Sequence, residues 1–144
     1  MGRRPVHGRG YPREDFMLLR TIMLAGAFAL ATTAAYADDP MSNTYGNTVM
    51  TKSHKTGAAG TLYFDQNMTY TAKAMDANGQ PVSYGGAWML KDGGNTICLT
   101  PNLPPNSPGA GTSCSPLVKH AVGDSWTTTN DQGETFDVSL SAGR

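Results

Sequence analysis

Cys98 and Cys114 are the side chains whose chemistry the sequence constrains most. They are the only two cysteines of the chain. A redox pair is usually spaced as Cys-x-x-Cys, and these two residues are much farther apart. In an oxidising compartment such a pair closes as a structural disulfide, and closing a loop of about 15 residues is worth roughly 3 kcal/mol in the chain-entropy model. We therefore predict a structural Cys98–Cys114 disulfide.

Histidines and carboxylates are the next candidates for chemistry. His54 lies in a basic loop, and His120 has Asp124 four residues ahead in a segment that reads as extended. That spacing does not make the two side chains converge on a metal ion, so we predict no metal site. No serine lies in Gly-x-Ser-x-Gly, and most aspartates lie in turn sequences, where they serve backbone geometry. The sequence predicts no catalytic residues, no cofactor and no enzyme activity.

Three aromatic residues are candidates for ligand binding: Tyr63, Tyr84 and Trp88. Aromatic side chains on strands usually pack in the core or across a strand pair. The alternative interpretation places these three around the mouth of a pocket or on an exposed strand face. We carry them forward as the predicted ligand-binding residues.

These residues have to be positioned by strands, because Gly and Pro interrupt the chain too often for long helices. The clearest strand is 134–142, where Phe136, Val138 and Leu140 alternate with polar residues. It forms a predicted hairpin with 125–130 across a turn that contains Gly133. The other predicted strands are 47–51, 60–64, 68–75, 86–90, 95–100 and 112–116.

The strand count predicts an all-β fold. About seven or eight short strands joined by tight turns favour consecutive antiparallel pairing, and such a sheet avoids exposed edges by closing on itself. We predict a small antiparallel up-and-down β-barrel, with a two-sheet β-sandwich as the alternative. The Pro-rich segment 101–111 cannot be a central strand, so it is either a functional loop or an excursion held by the disulfide.

Residues 1–37 read as a leader and signal peptide. An uncharged apolar stretch, 22–30, follows Arg20 and precedes the small-x-small site Ala35-Tyr36-Ala37. We expect cleavage after Ala37, and Met17 is an alternative true start. The apolar stretch is shorter than the roughly 20 residues that span a bilayer. The predicted division is a leader over 1–37, a flexible stretch over 38–46, and a single β-barrel domain over 47–144.

Export changes the charge of the chain. Removing residues 1–37 takes away five of the 11 basic and two of the 11 acidic side chains, which leaves six and nine, a net charge of −3. A mildly acidic protein has no electrostatic reason to bind nucleic acid or anionic lipid. Neither cysteine follows the cleavage site, so no lipid anchor is expected. We predict a periplasmic or secreted protein without a membrane anchor in its mature form.

The sequence over 60–144 resembles small exported lipocalin-like (calycin-type) proteins of Gram-negative bacteria. The likeness is carried by Tyr63-Phe-Asp-Gln-Asn-Met-Thr-Tyr-Thr71, then Gly86-Ala-Trp88, then the strand Ile97-Cys-Leu-Thr100. In lipocalins proper the Gly-x-Trp lies near the start of the barrel, whereas Trp88 is in the middle of this domain. The resemblance implies a barrel that acts by binding.

Two functional hypotheses follow from these observations. The first is an exported non-catalytic binding module for a small apolar molecule or an envelope component, supported if the barrel encloses an aromatic-lined cavity of roughly 300 Å³ or more. The second is a periplasmic protein-interaction or inhibitor module that acts through residues 101–111 or 38–47. Small disulfide-bearing inhibitors of proteases and lysozyme offer an analogy of size and class for the second hypothesis.

Overall fold

β-Strands are nearly the only regular secondary structure in the described part of the chain. The computed structural model describes residues 38–76 and 78–144, and the predicted leader, residues 1–37, lies outside them. A single 3₁₀ turn spans Asp92–Gly94. The strands are β1 (Thr48–Ser53), β2 (Ala59–Phe64), β3 (Thr69–Met75), β4 (Pro81–Lys91), β5 (Thr96–Pro101), β6 (Ser113–Pro116), β7 (Ser125–Thr129) and β8 (Thr135–Ser141).

All eight strands belong to one antiparallel sheet. Their order is β6-β5-β4-β3-β2-β1-β8-β7, so strands that are consecutive in sequence pair with each other, except β6 and β7, and β1 pairs with β8. The sheet curls into a nearly closed barrel. The prediction of a small antiparallel up-and-down barrel is therefore confirmed, and the alternative two-sheet sandwich is not what forms.

The seam of the barrel lies between the edge strands β6 and β7. No ladder joins these two strands within the described residues. The turn after β7 bridges them instead: the Asp131 N–H donates to the Cys114 carbonyl (2.8 Å), and the Cys114 N–H donates to Asp131 Oδ1 (3.0 Å). Asn130 Nδ2 also donates to Ser113 Oγ at 3.0 Å. Hydrogen bonds from this one turn therefore connect the two edge strands where a ladder is absent.

The alternation of residue types decides which side chains face the interior. In β8 the inward side chains of Val138 and Leu140 are buried, while Asp137, directly before Val138, is exposed. The core contains apolar and aromatic residues from β1, β2, β3, β4 and β8 together with Met41 from the segment before β1. Its buried members are Met41, Val49, Phe64, Tyr70, Ala72, Trp88, Val138 and Leu140.

The segment before β1 covers one end of the barrel, which we call the plugged end. Residues 40–46 form consecutive turns, and Met41 is only 1% exposed. The Tyr45 ring lies 6.3 Å from the Trp88 ring, and Asn43 Nδ2 donates to the His120 carbonyl at 2.8 Å. The segment predicted as a flexible stretch, 38–46, is thus attached to the core through a buried methionine.

Candidate ligand-binding cavity

The barrel encloses a cavity of about 320 Å³. This volume lies at the lower end of the range for small-molecule sites. It also has room for about ten water-sized groups, taking roughly 30 Å³ of liquid volume for each. Every one of the eight strands contributes to the wall. The apolar residues of the wall are Met41, Val49, Leu62, Phe64, Ile97, Leu99, Pro101, Pro116, Leu117, Trp126, Phe136 and Val138.

Polar groups occupy a smaller part of the same wall. Hydroxyl groups come from Thr44, Thr51, Tyr70, Tyr84, Ser113, Ser115 and Thr128, and amides from Asn130 and Gln132. Glu134 is the only charged side chain that lines the cavity among the described residues, and its Oε1 accepts a hydrogen bond from Ser53 Oγ at 2.8 Å. The wall carries no positive charge in this part of the chain. The cavity therefore offers apolar contact, neutral hydrogen-bonding groups and one carboxylate.

Tyr84, one of the predicted ligand-binding residues, lines the cavity. It lies on β4 directly opposite Ala72 of β3. Burial raises the pKa of Tyr84, so its hydroxyl stays protonated at neutral pH.

Trp88 belongs to the core rather than to the cavity wall. It is 5% exposed, and its indole N–H donates to the carbonyls of Asp65 and Thr69, both at 3.1 Å. Its ring meets the Phe64 ring edge-on at 6.3 Å. These contacts hold the β2–β3 turn against the plugged end, which is a structural role.

Tyr63 lies on the outer face of the barrel. Its neighbours on β2, Leu62 and Phe64, face the interior, so Tyr63 faces outward. The Lys73 ammonium and the Arg144 guanidinium lie over its ring, at 5.5 and 5.8 Å from the centroid. The three predicted aromatic residues thus occupy an outer face, the cavity and the core, and they do not share one site.

Tyr70 is a buried cavity residue that was not among the predicted ligand-binding residues. It is 4% exposed and lies opposite Gly86 in the β3–β4 ladder. Burial, together with the nearby charge of Tyr84, raises the pKa of Tyr70 to about 12. The inward alternation of Tyr70 and Ala72 was visible in the sequence. The glycine opposite, which lets the ring lie flat, became apparent only with the strand register.

The Pro-rich loop contributes to the other end of the cavity, which we call the loop end. Pro101, Gly109 and Gly111 of this loop line the cavity. The hydroxyls of Thr100 and Thr112 lie 2.7 Å apart across the neck of the loop. Gly109 and Gly111 adopt positive φ, which a residue with a side chain rarely does. Two of the loop residues that line the cavity are therefore glycines at positions where a side chain is unfavourable.

The predicted disulfide is present. Cys98 and Cys114 are bonded and lie directly opposite each other in the β5–β6 ladder. The bond attaches the short edge strand β6, which carries the wall residues Ser113 and Ser115, to the rest of the sheet. It therefore supports one side of the cavity as well as the base of the Pro-rich loop.

The histidines lie in separate surface pairs. His54 Nε2 is 2.8 Å from Asp137 Oδ1, and His120 Nδ1 is 3.7 Å from Asp124 Oδ2. The His120 ring stacks on Trp126, with 3.6 Å between the centroids. Within residues 38–76 and 78–144, no three His, Cys, Asp or Glu side chains form a group that could hold a metal ion.

Comparisons with protein-family models, with curated proteins and with solved structures give no match for this chain. Functional inference therefore rests on the geometry of the chain itself. Among the described residues, no helix has the length and apolar character needed to cross a bilayer.

Proposed function

We propose that this protein is an exported, non-catalytic module that binds a small, largely apolar molecule inside its barrel. The observation that carries the proposal is the cavity of about 320 Å³, lined by inward side chains of all eight strands. Removing apolar surface from water yields about 25 cal/mol per Å², and this gain drives a small apolar molecule into such a space. The lipocalin-like resemblance belongs to the same proposal.

Export is part of the proposal as well. The Cys98–Cys114 disulfide fits an oxidising compartment, since cytosolic thiols are kept reduced. The disulfide supports a periplasmic or extracellular location, and the leader expected over residues 1–37 supports it independently.

A cavity-filling variant tests the binding proposal. Ser115 lines the cavity, whereas Ser83 is exposed on the outer face of β4. Ser115→Phe fills the cavity at a stability cost of roughly 1–3 kcal/mol, and Ser83→Phe is the matched control. NMR titration with isopropylbenzene should give saturable shifts at cavity residues such as Leu99 in the wild type and the control, and none in Ser115→Phe. A wild-type protein that shows no saturable shifts at cavity residues would overturn the proposal.

A second candidate function, protein interaction or inhibition, is favoured by one observation. The Pro-rich loop is held at its base by the Thr100–Thr112 contact and, two residues farther along β6, by the disulfide. A loop constrained in this way loses less entropy on binding a partner. Replacing residues 103–108 by a Gly/Ser segment of equal length removes this surface. If isopropylbenzene binding persists while retention by an envelope protein extract is lost, the loop carries an interaction function.

A further inference from the structure

Two phenol hydroxyls in the cavity have no hydrogen-bond partner among the described residues. They belong to Tyr70 and Tyr84, both of which line the cavity. No fully enclosed side-chain oxygen or nitrogen lacks a partner in this part of the chain, so each hydroxyl touches open space. Tyr70 is only 4% exposed, and the open space available to it is the cavity. A buried polar group of this kind usually finds a partner.

Tyr70 and Tyr84 are diagonal neighbours on the adjacent strands β3 and β4. Ring atoms Cε1 and Cζ of Tyr70 lie 2.5 Å from the place that a Cβ on Gly86 would take, so the ring lies over β4 at residue 86. Tyr84 is two residues earlier on β4 and faces the same way.

The surroundings of these hydroxyls define what they can bind. Both phenols stay protonated at neutral pH, so each O–H is free to donate. The cavity wall carries no Lys, Arg or His among the described residues to balance an anion, and its one carboxylate, Glu134, already accepts from Ser53. An anionic ligand would lose its hydration here without compensation, and a cation offers no acceptor to a phenol O–H. A neutral oxygen acceptor, such as a ketone or an amide carbonyl, suits these phenol donors.

We propose that Tyr70 and Tyr84 form a polar subsite that donates hydrogen bonds to the acceptor oxygen of a neutral, otherwise apolar ligand. This inference rests on the proposed binding function and adds the chemical class of the ligand. The rest of the ligand lies against the apolar wall formed by residues such as Leu62, Leu99 and Val138. The phenol hydroxyls recognise the oxygen atom of the ligand, and the apolar wall limits the size of the ligand.

Two probes of equal size separate the subsite from the cavity. Acetophenone carries a carbonyl oxygen, and isopropylbenzene has the same number of non-hydrogen atoms without it. The dissociation constants of both are measured by NMR titration for the wild type, Tyr70→Phe, Tyr84→Phe and the double variant. The outer-face variant Tyr63→Phe removes the same atom outside the cavity and is the matched control.

We expect the ratio of the acetophenone to the isopropylbenzene dissociation constant to rise roughly 3- to 10-fold in each cavity variant and to stay unchanged in Tyr63→Phe. Retained isopropylbenzene binding shows that the variants are folded with an intact cavity. An unchanged ratio in the double variant, with both probes bound, overturns the subsite and leaves the binding function standing. Failure of the wild type to bind either probe overturns both proposals.

Discussion

Tyr70 lies directly opposite Gly86 in the β3–β4 ladder, and its ring fills the space that a side chain at position 86 would need. The glycine therefore has a packing role in the sheet interior, where glycine is otherwise unfavourable. Covering an interstrand glycine with an aromatic ring from the opposite strand restores the packing that the glycine lacks. The same arrangement brings the Tyr70 hydroxyl to the cavity.

Gly86→Ala should destabilise the barrel. The added Cβ would lie 2.5 Å from the Tyr70 ring and 2.6 Å from the Thr100 carbonyl oxygen, so the ring has to leave its position. We expect a loss of roughly 1–3 kcal/mol in the free energy of unfolding, measured by urea denaturation. Gly85→Ala is the control, because its nearest contact, at 3.6 Å, is ordinary. Equal stability of the two variants would contradict the packing role of Gly86.

Removing the disulfide should lower stability and loosen the β6 side of the cavity. The double variant Cys98→Ser/Cys114→Ser is expected to lose roughly 2–4 kcal/mol in the free energy of unfolding. Urea denaturation with and without a reducing agent provides the internal control. The wild type should respond to the reductant and the variant should not. Two free thiols in the wild-type protein kept without reductant, detected by mass spectrometry, would show that Cys98 and Cys114 are not bonded.

High pH should unfold the protein through its buried phenols. Burial raises the pKa of Tyr70 and of Tyr45 from the ordinary value of 10.0 to about 12, so the folded state holds protons that the unfolded state has released. Stability is therefore fully present below pH 10 and declines as pH rises toward 12. Tyr70→Phe should make this decline shallower, whereas Tyr63→Phe should leave it unchanged. Thermal melts across this pH range measure the slopes.

The His54–Asp137 pair should be visible in an acid titration. The hydrogen bond from His54 is the main cause that lowers the pKa of Asp137, and Thr127 Oγ1 also donates to that carboxylate, at 3.2 Å. A lowered carboxyl pKa contributes stability that is present above the unfolded pKa and is lost as pH falls through the folded value. His54→Gln should raise the Asp137 pKa in an NMR titration of its carboxyl carbon. His120→Gln should leave that pKa unchanged, and a shift of equal size in both variants would speak against the direct contact.

Much of the fold could be predicted because the local sequence patterns favour the same strands and turns that the tertiary structure contains. The alternation of Phe136, Val138 and Leu140 and the turn at Gly133 predict the β7–β8 hairpin directly. Strand β4 is longer than the predicted 86–90, since Gly85 and Gly86 resemble a strand break. They are accommodated because Tyr70 covers Gly86, a long-range contact that no local pattern contains.

The segment before β1 and the cavity also depend on long-range contacts that local sequence patterns do not contain. The composition of residues 38–46 is that of a flexible stretch, and only the buried position of Met41 reveals its place in the core. Side chains on β2 alternate between the two faces of the sheet, so Tyr63 faces away from Leu62 and Phe64. Its outer position could therefore have been inferred from the sequence. The volume of the cavity depends on how inward side chains from eight strands meet, and pattern analysis does not reach that level.

Chain order and sheet order differ by a cyclic shift, so the seam falls in the middle of the sequence. Near residues 47 and 143 the chain meets itself: the Gly143 N–H donates to Asn47 Oδ1 (3.0 Å), and its carbonyl accepts from Thr48 Oγ1 (2.6 Å). A circular permutant that joins the C-terminus to the segment before β1 through a linker, so that Met41 is kept, and that is opened between β6 and β7 would begin and end at the two edges of the sheet. Every ladder would then join neighbours in sequence, and such a low contact order favours fast folding.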